Sequence, residues 1–292
     1  MDRYRKAISD SKVVENDEAV KEAVAKILQD APENNTPEVW KFILGSIDLT
    51  TLSSEDSERS VAAFTQRVND FDNDYPQYPN PAAICVYSNF AEVVKTNLDV
   101  ENVDVCVVAG AFPSSQTFQA VKVADVALAV EAGAREVDIV LNIGMFLDGN
   151  YEDLCDEIIE LRHTAKKAKL KVILETGCLR TAANIKAASI LAMHSEADFI
   201  KTSTGKIYPG ASLEAAYVMC QCIREYYQQT GRKVGFKAAG GVRTTDEAVA
   251  YYTLVKSILG DEWLNPGLFR IGASSLANNI LSSLENNSVK FF

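Results

Sequence analysis

The chain has 292 residues, 47% of them hydrophobic, enough to bury a large core as two average domains or as one α/β barrel with an extension. A formal net charge of −11 argues against nucleic acid or an anionic membrane as partner, because both reward basic surface, and leaves a small molecule as the expected ligand. The opening "MDRYRKAISD" has no apolar core of signal-peptide length, and no later stretch approaches ~18 uncharged apolar residues, so a soluble cytoplasmic protein is expected.

Residues 1–41 read as an N-terminal helical extension. Within it, 15–29 sets Val20, Val24 and Ile27 on one side, the pattern of an exposed or lid-forming helix. From 42 to 292 the pattern becomes regular. Short apolar runs ending in polar residues recur at 45–50, 82–88, 103–110, 136–142, 171–177, 198–205, 234–241 and 268–275, each too short for a helix. Helical spacing fills the gaps. The segment 151–168 puts Leu154, Ile158 and Leu161 on one face, and 245–259 opens with Thr244 and Glu247 in capping-box spacing and stops at Gly260. Eight strand–helix units predict a closed (βα)8 TIM barrel. The rival doubly wound sheet would show G-x-G-x-x-G after the first strand, where "DLTTLSSED" stands instead.

The six cysteines are scattered through apolar or helix-like runs and read as reduced packing residues. His163 and His194 are the chain's two histidines, and both fall in helix-like stretches, so neither a metal site nor a cofactor is expected.

In such a barrel the site forms at the carboxyl ends of the strands. Those ends carry Asp48 and Thr50 on the first strand, Cys85 on the second, Asp138 and Asn142 on the fourth, Lys201 on the sixth and Lys237 on the seventh. Alternation puts Phe199 and Lys201 on one side of strand six, and Gly235 and Lys237 on one side of strand seven. If those sides face the lumen, the two ammonium groups are neighbours, and at ~4 Å they repel by about 4 kcal/mol at an effective dielectric near 20. That is about three pKa units, enough to free one amine for attack on a carbonyl. Lys201 or Lys237 could then form a Schiff base, with Asp138 and Asp48 as candidate proton shuttles. Cys85 is expected near the mouth.

Three loops look built for an anion. "TGK" at 204–206, "GGVR" at 240–243 and "GASS" at 272–275 follow strands six, seven and eight. Gly240, Gly241 and Gly272 allow close backbone approach, Ser274 and Ser275 offer hydroxyls, and Lys206 and Arg243 supply charge. A Schiff-base lyase of keto acids and a non-catalytic sugar-phosphate-binding barrel remain open on these residues alone; the first needs no phosphate cradle, and the second has no use for paired lysines.

The motifs "IDLTTL" at 47–52, "AAICVY" at 82–87, "EVDIV" at 136–140, "ETG" at 175–177, "DFIKTSTGK" at 198–206, "GFKAAGGVR" at 235–243 and "RIGASS" at 270–275 together resemble the deoxyribose-phosphate aldolases, class I aldolases on a (βα)8 barrel. The long N-terminal extension and "DEWLNPGLFRIGAS" are similar to the larger, eukaryote-like branch. The resemblance implies reversible cleavage of 2-deoxyribose 5-phosphate to acetaldehyde and glyceraldehyde 3-phosphate, without a cofactor. It implies that Lys201 forms the Schiff base, that Lys237 perturbs it and that Asp138 transfers protons, with Asp48 and Thr50 in the same network. Thr204, Gly205, Lys206, Gly240, Gly241, Val242, Arg243, Gly272, Ser274 and Ser275 would hold the phosphorylated sugar. The chain departs from the family by Ala238 after the second lysine, often proline, and by a tail, "NNSVKFF", without the usual tyrosine. A homodimer is compatible with the sequence, which does not fix the assembly.

Overall fold

A computed structural model describes residues 3–292. Four helices precede the first strand: α1 (Arg3–Asp10), α2 (Asp17–Ile27), α3 (Ala31–Asn34) and α4 (Pro37–Leu44). The strands β1 (Ile47–Thr50), β2 (Ala83–Tyr87), β3 (Asp104–Val108), β4 (Glu136–Val140), β5 (Lys169–Ile173), β6 (Phe199–Lys201), β7 (Gly235–Ala239) and β8 (Phe269–Ala273) pair in chain order, all parallel, and β8 closes on β1. Between them run α5 (Glu58–Asp74), α6 (Ala91–Asn97), α7 (Gln119–Glu131), α8 (Ile143–Leu147), α9 (Tyr151–Thr164), α10 (Thr176–Leu179), α11 (Ala182–His194), α12 (Leu213–Thr230) and α13 (Thr245–Leu259), and α14 (Leu276–Glu285) follows β8. This is the expected (βα)8 TIM barrel.

The outward strand residues explain why it closes. Ile47 and Leu49, Ile84 and Val86, Val105 and Val107, Val137 and Ile139, Leu170 and Val172, Ile200, Phe236 and Ala238, and Phe269 and Ile271 are buried in one core with the helices' apolar stripes, so every strand has a covered outer face. Helix α13 begins and ends as its sequence dictates: Thr244 and Glu247 form a capping box, and Gly260 ends it at φ +81°. No helix among the described residues is long and apolar enough to cross a membrane.

Three expectations need correction. The fifth strand starts at Lys169 and ends at Ile173, before the "ETG" assigned to it; Lys169 and Lys171 break the apolar run and disguise its beginning. The fourth strand ends at Val140, because Asn142 turns to cap α8, its side chain accepting from the Met145 N–H at 3.2 Å. The extension is not bounded at 41. That position falls inside α4, whose Ile43 and Leu44 are fully buried, and α2 lies along α12 with Val20 and Val24 inward. Polar ties complete the docking: Asp17 Oδ1 accepts from the Ala182 N–H at 2.8 Å, and Lys186 Nζ donates to the Ser11 carbonyl at 3.1 Å.

Candidate active site

Strand alternation sends a second set of side chains into the lumen, and that set is charged. Asp48 on β1, Glu136 and Asp138 on β4, Lys171 on β5, Lys201 on β6, Lys237 on β7 and Arg270 on β8 are all buried. Lys201 stands opposite Lys237 in the β6–β7 register, as alternation predicted. Lys237 Nζ donates to Asp138 Oδ2 at 2.7 Å and to Asp48; Lys171 Nζ lies 3.3 Å from both Asp48 and Asp138 and bonds Glu136; Arg270 bonds Glu136 at 2.9 Å and Asp48. Lys201 Nζ reaches Asp138 Oδ2 at 2.8 Å, the one carboxylate it touches.

This changes the electrostatics expected of the lysine pair. Burial alone would strip the proton from Lys237, but Asp138 and Asp48 outweigh it and raise its pKa above the ordinary lysine value. Lys171 behaves alike: burial opposes its charge, and Asp138 and Asp48 overcome it. The carboxylates respond in kind. Burial opposes their ionisation, yet Lys171 with Lys201 and Lys237 holds Asp138 well below the carboxylate range, and Lys171, Lys237 and Arg270 do the same for Asp48. Lysine–lysine repulsion therefore does not discharge Lys237; the interleaved carboxylates cancel it. What remains is a count. Three fully buried carboxylates face four buried cationic side chains, and the more exposed Lys169, which also pairs with Glu136, is matched by Asp104; one buried cation is therefore in excess, and Lys201 is the one with a single partner.

Lysine 201 is also the lumen charge that reaches a cavity. Above it opens a space of about 350 Å³ lined by Thr50, Thr204, Gly205, Lys206, Gly240, Gly241, Val242, Arg243, Gly272, Ser274 and Ser275, which brings together all three anion loops of the sequence. Thr51, Leu52 and Ser53 close the β1 side. A larger groove of about 930 Å³, lined by α5 and by residues preceding β1, β2, β3 and β8, touches none of these groups. Backbone contact fixes the loops: a Cβ on Gly210 would sit 1.9 Å from the Gly240 carbonyl oxygen, so the segments after β6 and β7 can stack only through glycine.

Several placements differ from expectation. Lys206 lines the cavity, but its ammonium donates to the Leu52 carbonyl across the mouth. Cys85 is not at the mouth. It is 1% exposed, packed with Ala83, Cys106 and Val108 beneath Leu52, Tyr87 and Phe112. Its thiol is shifted down, first by a hydrogen bond from Cys106 and then by Lys237 and Lys201, against burial. The tail does not reach the site either: Phe291 and Phe292 both donate their N–H to Asn278 Oδ1, at 2.8 and 2.9 Å, and pack on Phe71, the first edge-on and the second tilted.

Four functional candidates escaped the sequence. Lys171, Glu136 and Arg270 complete the lumen network. The fourth is Glu175, buried in a left-handed conformation (φ +55°), whose carboxylate accepts from both the N–H (3.1 Å) and the Oγ1 (2.6 Å) of Thr204. It ties the end of strand five to the loop after Lys201. Replacing it by alanine leaves both Thr204 donors unpaired, so Glu175→Ala is expected to lower the unfolding free energy by about 1–3 kcal/mol in a urea titration. An unchanged midpoint would mean that other contacts hold the loop.

Comparison with known proteins agrees with this geometry. The sequence model for DeoC/LacD family aldolases matches residues 42–279. The deoxyribose-phosphate aldolase of Homo sapiens is 41% identical over 244 residues, covering 80% of this chain and 77% of that protein. That of Mus musculus is 42% identical over 249 residues, with the same coverage. Among solved structures, the aldolase QR15 superposes with a TM-score of 0.68 at 27% identity, over 84% of this chain and 96% of that one. The tetrameric deoxyribose phosphate aldolase of Aeropyrum pernix, at 23% identity and a TM-score of 0.67 over 88% and 96%, shares the fold.

Proposed function

This chain belongs to the DeoC/LacD family of aldolases, and from that premise we propose that it catalyses reversible cleavage of 2-deoxy-D-ribose 5-phosphate to acetaldehyde and D-glyceraldehyde 3-phosphate through a Schiff base on Lys201. The observation that carries the assignment is that Lys201 alone among the lumen lysines both lines the cavity and has one carboxylate partner. The lone pair of its free amine is the nucleophile. It attacks the C1 aldehyde of the open-chain sugar; loss of water then gives a protonated imine whose positive charge lies beside Asp138.

That imine is the electron sink. As the C3 hydroxyl gives up its proton, the C2–C3 bond breaks, C3 departs as the aldehyde of glyceraldehyde 3-phosphate, and the electron pair enters the C1–C2 enamine. Protonation at C2 and hydrolysis release acetaldehyde and regenerate Lys201. Asp138 bridges Lys201 and Lys237, which suits it to move protons between the reacting nitrogen and the lumen network. Lys237, held as an ammonium, keeps Asp138 ionised and gives the lysine pair unequal roles.

The phosphate falls to the loops. The N-terminus of α14, the Gly240–Gly241 backbone, Ser274, Ser275 and Arg243 surround the far side of the cavity. A chain of net charge −11 repels a phosphate ester at long range, but charges beyond ~8 Å are screened at physiological salt, so this local set decides. Arg243→Ala is expected to lower kcat/KM for the phosphorylated sugar about ten- to a hundredfold, the value of a charge-assisted hydrogen bond, and to leave unphosphorylated deoxyribose nearly unaffected. Both sugars are measured on both proteins. Equal losses would assign Arg243 a structural role, and a parent enzyme that prefers unphosphorylated deoxyribose would overturn the phosphate site.

A further inference from the structure

Two thiols stand beside the carboxylate on which three lysines meet, and the proposed reaction uses neither. Cys85 on β2 and Cys106 on β3 are partners in the β2–β3 register, so both side chains leave the sheet on one face. That face is the lumen: Cys106 Sγ donates to Asp138 Oδ1 at 3.4 Å and accepts from Lys171 Nζ at 3.3 Å. The other four cysteines lie in α9, α10 and α12. Cys85 Sγ, Cys106 Sγ and a carboxylate oxygen of Asp138 all fall within 4.8 Å of one another, and all three residues are buried.

We propose that these three groups form an inhibitory site for a thiophilic divalent cation of the zinc and cadmium type. Geometry supports it first. A tetrahedral ion with Zn–S of about 2.3 Å and Zn–O of about 2.0 Å holds sulfur and oxygen about 3.5 Å apart and two sulfurs about 3.8 Å apart. The Cys106–Asp138 separation of 3.4 Å already meets the first figure, and the second is reached by a movement of Cys85 Sγ of at most about 1 Å. Histidine is not needed, because thiolate and carboxylate both bind zinc. Charge comes next. A divalent ion beside Lys171, Lys201 and Lys237 would be repelled if it added charge, and it adds none: each thiol gives up its proton to solvent as its sulfur bonds the metal, so the site carries one net negative charge before and after. Lys171, which already donates to Cys106 Sγ, becomes the donor that steadies the thiolate. The alternative trio of Asp48, Glu136 and Cys106 offers a single sulfur, and its carboxylates are bonded to Arg270 and Lys171. Entry is through the catalytic cavity, whose lining includes Lys201, 2.8 Å from Asp138 Oδ2. The consequence is inhibition, because a metal-bound Asp138 accepts weakly from Lys201 and no longer takes up protons.

Cadmium is the probe, because sulfur bonded to it gives an ultraviolet charge-transfer band. Titration of the metal-free full chain is expected to show one ion bound at roughly micromolar concentration or below, two protons released per ion into a weak buffer, and kcat falling in step with the band. Zinc should compete for the site, and magnesium and calcium, which take oxygen ligands, should not. Cys106→Ser keeps a hydroxyl for Asp138 and loses a sulfur, so it should bind cadmium about a hundredfold more weakly and stay active in cadmium that silences the parent. Cys85→Ser should lose cadmium affinity to the same extent, whereas Cys178→Ser, which removes the one cysteine that is not buried, should titrate as the parent does. Band and protons are read without turnover, so they test the site whether or not the chain cleaves the sugar. A parent that binds no cadmium in this range overturns the proposal, whatever the variants do. So does a band that survives unchanged in both Cys106→Ser and Cys85→Ser, which places the ion elsewhere, and so does a bound ion that leaves kcat untouched.

Discussion

Lys201→Ala is expected to abolish turnover, by ~10⁴-fold or more in kcat, while the protein keeps its fold. The two halves of that result follow from different features of one side chain. In the proposed mechanism Lys201 supplies the nucleophilic nitrogen, and without it no covalent intermediate would carry the electron pair of the breaking bond. Structurally it matters less than its neighbours, because it has one carboxylate partner and Asp138 keeps Lys171 and Lys237 when it is gone. The thermal midpoint should stay close to that of the parent. Lys237→Ala is the informative contrast: it removes one of the two lysines that bridge Asp138 and Asp48, so stability and rate should fall together. A Lys201→Ala enzyme with more than one per cent of parental kcat would exclude Lys201 as nucleophile.

Asp138→Asn should be the second most damaging change. This carboxylate is the meeting point of three lysines, and its neutralisation leaves four cations facing two carboxylates in a water-excluded lumen. Breaking such a buried set costs about 3–5 kcal/mol of folding free energy. Loss of proton transfer costs about 10²- to 10⁴-fold in kcat. The pairing with Asp48→Asn separates the two effects: Asp48 contacts Lys171, Lys237 and Arg270 but not Lys201, so its variant is expected to lose comparable stability and less rate. Equal kinetic losses in the two variants would mean that Asp138 acts through the stability of the lumen rather than on the reacting groups.

The parts of this protein legible in its sequence share a property: each rests on local order. Eight strands showed as apolar runs because outer faces covered by helices leave few polar positions, and α13 showed because capping residues, stripe and terminal glycine all lie within its own length. Lys201 and Lys237 are legible because strand alternation puts both on the inward face at one level, Lys201 at the end of β6 and Lys237 in the middle of β7. What could not be read is the stagger of strands around the closed barrel, which decides which charges meet. Lys171 looked like the first residue of a strand, whereas two earlier residues place it mid-strand, facing Asp48 from β1 and Glu136 and Asp138 from β4. Arg270 and Glu136 were quoted within motifs but carried no local sign that they pair across 134 residues. Without those partners, two lysines predict mutual repulsion; with them, they form a compensated lattice with one cation to spare. Glu175 was hidden for another reason, since a glutamate in left-handed backbone has no sequence signal. The extension's stripe of valines announced a buried face without saying whether it covered the mouth or the flank.

Reduction of the reacting enzyme tests the central claim most directly. Incubation with acetaldehyde and borohydride converts an imine to a stable secondary amine, and digestion followed by mass spectrometry locates the modified residue. An adduct on Lys201, absent from Lys201→Ala, is the predicted result. An adduct on Lys237, Lys171 or Lys206, or no adduct under conditions that support turnover, would contradict it.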